Sequence, residues 1–209
     1  MKKVMLSVAA AMAITAAIPA QADTLLGLKV GADAWFANAK VDGHKSDDTS
    51  ASYYASFEHF IPLVPNFMVR YNNIDAGNVA FEQSDFTAYY EILDNDLVSL
   101  DLGLTMTKFG GVKIQNDDSF SDWQPTLYGS AEIGIPATPL TVFTQLNAGN
   151  VDGTRLFDGQ AGVKYTIGLV AADLNLRGGY RMMDYDFDKA KNAGDVDLNG
   201  WFAGVEVDF

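Results

Sequence analysis

The amino-acid sequence predicts an all-β fold, a transmembrane antiparallel up-and-down β-barrel of ten strands. Apolar and polar residues alternate with a period of two through ten successive segments. Residues 1–22 have the features of an export signal. Beyond them, no apolar run approaches the length of about 20 residues that a membrane helix needs. A chain of this kind can cross a membrane only with strands.

The N-terminal residues predict export. Lys2 and Lys3 form a short positive region, residues 4–18 are apolar and small, and Pro19-Ala-Gln-Ala22 supplies a cleavage site. The apolar run is short for a membrane anchor. We therefore expect a signal peptide over residues 1–22 and a barrel over residues 23–209. The sequence contains no cysteine, so disulfides and thiolate chemistry are excluded.

The overall charge excludes one class of partner. Cleavage would remove two lysines and no acidic residue, which changes the formal net charge from −13 to −15. Phosphate backbones require a basic surface, and this chain lacks one. We expect no nucleic-acid partner. The sequence indicates no oligomeric state.

The ten predicted strands follow one another without a linker or a change of composition. The fifth is the clearest, because Val98 and Leu100 alternate with Ser99 and Asp101. Each segment has one apolar face and one polar face, as strands between lipid and a polar interior should. The predicted ranges are 25–39, 50–61, 67–74, 85–93, 97–109, 123–135, 140–148, 156–167, 171–185 and 201–209.

The connections predict the orientation. Those after the odd-numbered strands are mostly long and polar, such as residues 41–49 and 110–121, whereas the others are short and rich in proline. Long extracellular loops and short periplasmic turns are typical of bacterial barrels, and an even strand count places both chain ends on the periplasmic side. Aromatic residues fall where an outer girdle is expected: Phe36, Tyr53, Phe86, Trp123, Phe157, Tyr180 and Trp201.

Two alternatives stay open at this stage. A soluble β-sandwich or lipocalin-like barrel would also alternate, although its apolar faces would point inward. A barrel of eight strands would result if segments three and four, or seven and eight, were misread. The combination of export signal, loop asymmetry and charged polar faces favours the membrane barrel.

The last nine residues carry a more specific pattern. Gly204 lies five positions before the terminal Phe209, and Val207 lies two before it. This tail resembles the assembly signal of Gram-negative outer-membrane β-barrels, although Phe202 stands where a polar residue is usual. The whole chain from Asp23 onward resembles the small outer-membrane β-barrel proteins, closest to poorly characterised members from marine proteobacteria. The resemblance implies the cell outer membrane as location. It implies outer-membrane lipid, lipopolysaccharide and the barrel-assembly machinery as partners.

The polar faces predict what fills the lumen. Charged side chains of both signs are expected to point inward and form an ion-pair network, with each arginine facing a carboxylate. We therefore predict a largely plugged barrel with a structural or surface-interaction role, in which loss of one arginine destabilises the barrel or opens a small, cation-preferring leak. The alternative is a narrow channel for small, cationic solutes. The predicted network comprises Lys29, Asp33, Glu58, Arg70, Asp85, Glu91, Asp101, Glu132, Asp158, Lys164, Asp173, Arg177, Arg181 and Glu206.

An outer-membrane hydrolase is less favoured, and we predict no catalytic residues. His44 has only loop aspartates around it, whereas omptin-like proteases use paired aspartates with an Asp-His pair. His59 and Ser56 fall on opposite faces of one strand, so they do not form the His-Ser pair of lipid A deacylase barrels.

The sequence offers one metal hypothesis and no cofactor site. Asp184, Asp186 and Asp188 have the spacing that opens a calcium loop, but Lys189 replaces the glycine that should follow. A weak divalent-cation site beside lipopolysaccharide is the remaining hypothesis, since oxygen ligands suit Mg²⁺ or Ca²⁺. No glycine-rich nucleotide motif precedes a helix, and we expect no cofactor.

Overall fold

The computed structural model describes residues 26–41, 44–76, 79–95, 97–114, 120–187 and 195–209. The predicted signal peptide lies outside the described residues. So do Asp42, Asp188 and the side chain of His44.

The described part of the chain forms ten antiparallel strands, each paired with its neighbours in sequence, and β1 pairs with β10 to close the barrel. This confirms the predicted ten-stranded barrel, and the eight-strand alternative is wrong. The strands are β1 Leu26–Val41, β2 His44–His59, β3 Asn66–Asp75, β4 Val79–Asp94, β5 Val98–Ile114, β6 Phe120–Gly134, β7 Leu140–Val151, β8 Thr154–Gly168, β9 Asp173–Asp186 and β10 Asp195–Asp208.

The two ends of the barrel differ. We call the end that holds Leu26 and Phe209 the terminal end, and the opposite end the distal end. At the terminal end, the seam between β1 and β10 is completed by two backbone hydrogen bonds: Phe209 N–H donates to the Leu28 carbonyl at 3.0 Å, and Leu28 N–H donates to the Phe209 carbonyl at 3.3 Å. Within the described residues, no helix is long and apolar enough to cross a membrane.

A belt of apolar side chains covers the outer wall from the terminal end to beyond the middle. Leu104, Leu127 and Trp201 are 63%, 65% and 68% exposed. Aromatic rings mark the distal border of the belt, where Tyr180 contacts Trp201 with ring centroids 5.3 Å apart. An apolar surface that encircles a molecule is far larger than the patches found on soluble monomers. This outward apolar face excludes the soluble sandwich and lipocalin-like alternatives, whose apolar residues point inward.

The pattern reverses near the distal end. On β1, Trp35, Ala37 and Ala39 are buried inside the barrel, while Asn38 and Lys40 point outward. We call the apolar cluster inside this end the distal core. It consists of Trp35, Ala37, Ala39, Ile74, Ala76, Val79, Phe81, Phe109, Val112, Leu156, Met183, Tyr185, Phe187, Val196 and Leu198, and the same apolar cluster continues to Phe143 and Phe202.

The predicted long loops are wrong in large part. Residues 44–49 belong to β2, residues 110–114 to β5 and residues 120–121 to β6. The connections at the distal end are residues 42–43, 76–78, 115–119, 152–153 and 187–194. Their average length is not greater than that of the connections at the terminal end, which are residues 60–65, 95–97, 135–139 and 169–172. The strands continue because their inward side chains pack into the distal core. Burial of this apolar surface stabilises a hydrogen-bonded strand relative to a solvated loop.

Candidate functional site

The interior of the barrel is the candidate site, because charged side chains are buried there. At its centre lies Arg177 on β9. Its Nε atom is 3.4 Å from Oδ1 of Asp33 on β1, an ion-pair contact without hydrogen-bond geometry, and its Nη1 atom is 3.5 Å from Oε2 of Glu206 on β10. The guanidinium also lies 4.7 Å from the ring centroid of Phe143 and 5.0 Å from that of Tyr54. Arg177 thus lies inside the lumen between aromatic rings and carboxylates.

Glu206 joins this centre to the terminal half of the lumen. It accepts hydrogen bonds from the Tyr54 hydroxyl at 2.6 Å and from Lys164 Nζ at 3.1 Å. Lys164 also pairs with Glu132 at 2.6 Å. Tyr54 covers Gly31 on the neighbouring strand, where an added Cβ would lie 2.2 Å from the Tyr54 ring. The glycine therefore makes room for the tyrosine that closes this side of the lumen.

A second buried ion pair lies next to the distal core. Arg181 on β9 binds both oxygens of Asp158 on β8, with Nε–Oδ1 at 2.9 Å and Nη2–Oδ2 at 2.7 Å. Its Nη1 donates to Asn72 at 3.0 Å, and its guanidinium lies 5.2 Å from the Trp35 ring. A bidentate pair with these extra contacts is the geometry that stabilises a buried arginine best.

Amides complete the network in the middle of the barrel. Arg70 donates to Gln145 Oε1, and Gln160 donates to the same oxygen at 2.8 Å. Among the described residues, no carboxylate lies within ion-pair distance of Arg70, which differs from the prediction that each arginine faces one. Asp85 instead binds Gln83 at 3.0 Å and Thr107 at 2.8 Å. Neutral donors around this carboxylate satisfy it without a second charge.

Small cavities remain between the side chains that line the lumen. The central cavity has a volume of about 50 Å³, room for a few water molecules. At the terminal end it widens into a vestibule of about 240 Å³, which we call the acidic vestibule. Glu58, Glu91, Asp101 and Glu132 line it, and Lys29 pairs with Glu58 at 2.9 Å.

Two predicted network residues lie at the margin. Glu91 is exposed and lines the acidic vestibule, where the register of β4 and β5 shifts between Glu91 and Leu93. Asp173 is exposed at the terminal end, opposite Asp208 in register. Both lie where the polar interior opens to solvent. The other predicted members point into the lumen or line its vestibule: Lys29, Asp33, Glu58, Arg70, Asp85, Asp101, Glu132, Asp158, Lys164, Arg177, Arg181 and Glu206.

The sequence analysis did not include the uncharged residues of the site among the predicted site residues. Tyr54, Phe143, Gln145 and Phe202 all face the lumen, and each contacts a buried charge or its partner. Parity along the strands could have found them, because Tyr54 shares the face of Ser52 and Phe202 shares that of Glu206. Attention to charge alone left them out.

The predicted assembly signal lies on the closing seam. An added Cβ at Gly204 would lie 2.0 Å from Asp33 Oδ1 and 2.5 Å from the Ala32 carbonyl. Gly204 therefore has a structural reason to be glycine, which is independent of any recognition. Val207 pairs with Val30 in register, and Phe209 ends the seam.

The other candidate sites are placed as follows. Asp184 and Asp186 lie at the distal end of β9, where Asp184 pairs with Arg155 at 3.3 Å. The described residues contain no group of three His, Cys, Asp or Glu side chains that could hold a metal ion. On β2, Ser56 is buried in the lumen, while the ring of His59 lies against Phe57 on the outer wall. The two side chains therefore stand on opposite faces.

The chain matches no protein-family model, and no curated protein sequence matches it. Solved structures with a similar fold include Neisserial surface protein A (NspA), with 20% identity, a TM-score of 0.44 and coverage of 87% of this chain and 97% of NspA. The outer membrane protease OmpT from Escherichia coli gives 9% identity, a TM-score of 0.42 and coverage of 88% and 93%. The β-domain of the Bordetella autotransporter Brka gives 10% identity, a TM-score of 0.40 and coverage of 88% of this chain and 99% of the Brka domain. All three neighbours are covered almost completely, at identities of 20% or lower.

Proposed function

We propose that this protein is an outer-membrane β-barrel with a plugged lumen, which acts as a structural or surface-interaction element rather than as a pore or an enzyme. The observation that carries this proposal is that two groups of buried side chains lie one after the other inside the barrel, and we propose that they act as plugs. The first is the buried charge network around Arg177. The second is the distal core, in which Phe109 and Val112 are fully buried.

The outer wall supports the membrane location. The apolar belt faces outward on every strand, as it must where lipid replaces water. The reversal at β1, from outward Phe36 to outward Asn38 and Lys40, marks a distal border beyond which a polar wall encloses an apolar core. In this proposal the terminal end is periplasmic, and the distal end projects from the membrane among lipopolysaccharide. Phe209 and the β10 edge would meet the barrel-assembly machinery.

Planar-bilayer recording of the refolded protein tests the plugged lumen. We expect no steady conductance from the unmodified protein. Because two plugs lie in series, neither Arg177→Ala nor Phe109→Ala alone should open a pore, whereas the double variant should conduct. For conductance, this replaces the expectation that loss of one arginine can open a leak by itself. Steady conductance of the unmodified barrel would overturn the proposal.

A narrow channel for small cationic solutes is the second candidate, and the acidic vestibule favours it. Carboxylates at an opening concentrate cations and raise their rate of entry. A steady conductance with cation preference, reduced by Asp101→Asn or Glu91→Gln, would support the channel.

The orientation has its own test. An epitope inserted at the β7–β8 connection, after Gly153, should bind antibody on intact cells. The same epitope in the β8–β9 connection, after Val170, should bind only after the outer membrane is permeabilised. The opposite pattern would reverse the proposed orientation.

A further inference from the structure

The connection between β2 and β3 consists of apolar residues that the barrel does not bury. Residues 60–65 read Phe-Ile-Pro-Leu-Val-Pro and contain no polar side chain. Leu63 at the tip is 92% exposed, and Phe60 is 63% exposed. A turn with this composition at an aqueous rim is unusual, because exposed turns favour Gly, Asn, Asp and Ser.

The backbone of this turn is also strained. Val64 N–H donates to the Ile61 carbonyl at 3.4 Å, and Leu63 has a φ of 67°. A bulky residue other than glycine is rare at positive φ, because its Cβ crowds the backbone, and Gly or Asn normally occupies this position of a turn. Leucine thus combines a strained backbone with an exposed apolar side chain. Neither feature benefits a turn in water.

A hydrogen bond from the outer wall shows where the turn lies. The hydroxyl of Tyr90 donates to the Leu63 carbonyl at 2.9 Å. Tyr90 belongs to the outward face of β4, between Ala88 and Ile92, and is itself half exposed. The turn is therefore bent sideways against the outside of the barrel, next to the apolar belt, and away from the mouth of the lumen. Phe57 and Phe67, which flank the turn on β2 and β3, continue the same exposed apolar surface.

We propose that residues 60–64 form an anchor that inserts into the periplasmic leaflet, with phospholipid acyl chains as its partner. The turn and the belt form one continuous apolar surface. This favours lipid over a periplasmic protein as the partner of the turn, because the whole surface is then in contact with the same solvent. Transfer of the large leucine side chain from water to lipid releases free energy, and this gain offsets the cost of the strained backbone at positive φ. In water the side chain would give no such gain. The anchor fixes how deep the terminal end sits. This inference rests on the membrane placement proposed above.

The β6–β7 connection supplies a matched control. Residues 135–139 read Ile-Pro-Ala-Thr-Pro, with a turn hydrogen bond from Thr138 N–H to the Ile135 carbonyl at 3.1 Å and a φ of 62° at Ala137. The φ of Ala137 is close to that of Leu63, and each residue follows a proline in its turn. The tip is small, and the described residues include no outer-wall tyrosine bonded to it. We expect Ala137 to remain in water.

The absence of native cysteine allows the test to use single-cysteine variants of the full barrel, each carrying a nitroxide spin label, in phosphatidylcholine vesicles. The collision rates of the label with oxygen and with a water-soluble nickel complex report its depth. Leu104→Cys in the belt is the lipid reference, and Asp197→Cys on the distal outer wall is the water reference. We expect Leu63→Cys to resemble Leu104→Cys, and Ala137→Cys to resemble Asp197→Cys. Adding Tyr90→Phe to Leu63→Cys should shift its label toward the water reference.

The outcomes separate the two proposals. A label at Leu104 that is accessible to nickel would refute the membrane placement itself. A lipid-exposed Leu104 with a water-exposed Leu63 would overturn the anchor alone and would leave the turn as a surface for a periplasmic protein. Equal depth at Leu63 and Ala137, or no effect of Tyr90→Phe, would also overturn it, because the clamp by Tyr90 would then not distinguish this turn.

Discussion

The bidentate pair between Arg181 and Asp158 gives the sharpest prediction about stability. Both residues are nearly fully buried, and among the described residues Arg181 is the hydrogen-bond donor to each oxygen of Asp158. Arg181→Met would remove those two bonds, the bond to Asn72 and the contact with Trp35. The Asp158 carboxylate would remain buried without its counter-charge.

The magnitude follows from that uncompensated charge. Removal of one partner from a buried ion pair costs about 3–5 kcal/mol, whereas replacing both partners with apolar residues is often neutral or stabilising. We therefore expect Arg181→Met to lower the free energy of unfolding by about 4 kcal/mol. The double variant Asp158→Leu with Arg181→Met should recover most of this loss. The exposed pair of Arg155 and Asp184 is the control, and Arg155→Met should cost less than about 1 kcal/mol.

Urea unfolding of the refolded barrel in lipid vesicles would measure these differences through tryptophan fluorescence. Trp35 lies 5.2 Å from the Arg181 guanidinium and reports on the same region. Reversibility must be shown by coincident unfolding and refolding curves. The reasoning is refuted if Arg181→Met costs no more than Arg155→Met, or if the double variant is as unstable as Arg181→Met alone.

Three further predictions concern processing, closure and the distal core. Intact-mass measurement of the outer-membrane form should give a chain that begins after residue 22, and retention of residues 1–22 would contradict the signal peptide. Gly204→Val or deletion of Phe209 should reduce the heat-modifiable folded barrel on gels, whereas Gly178→Ala, whose Cβ would lie 3.5 Å from its nearest neighbour, should not; equal yields would exclude a steric role for Gly204. Phe109→Ala should destabilise the barrel by about 3–5 kcal/mol, as expected for a buried phenylalanine, and Phe86→Ala on the outer wall should cost less in the same urea assay; the reverse order would argue against a packed distal core.

The alternation of residue types was sufficient to predict the strands and their faces in the terminal half of the barrel. Leu102 and Leu104 face outward on β5, and Asp101 lines the vestibule, as their parity predicted. Alternation works there because lipid and a polar lumen impose opposite demands on successive residues. The distal half uses the same period with the faces exchanged. Ala37 and Ala39 alternate with Asn38 and Lys40, so the reversal is present in the sequence, although the predicted first strand, residues 25–39, was assigned one apolar and one polar face throughout.

The partners of the charged residues could not be predicted in the same way. Arg70 and Arg177 both point inward by parity, yet Arg70 binds an amide and Arg177 lies between carboxylates and rings. Parity fixes the face of a side chain but not its neighbours across the lumen, which depend on the stagger of ten strands around a closed barrel.

The sequence by itself determined the all-β class, the ten strands, the inward set of charges and the closing strand, because these depend on residue type and on a period of two along the chain. Only the tertiary structure decided that buried charges and an apolar core lie one after the other in the lumen, that the distal strands extend in place of long loops, and that the β2–β3 turn lies against Tyr90 on the outer wall. These features arise from contacts between residues far apart in sequence. Barrel closure brings such residues into contact, and a local sequence pattern does not predict which of them will be in contact.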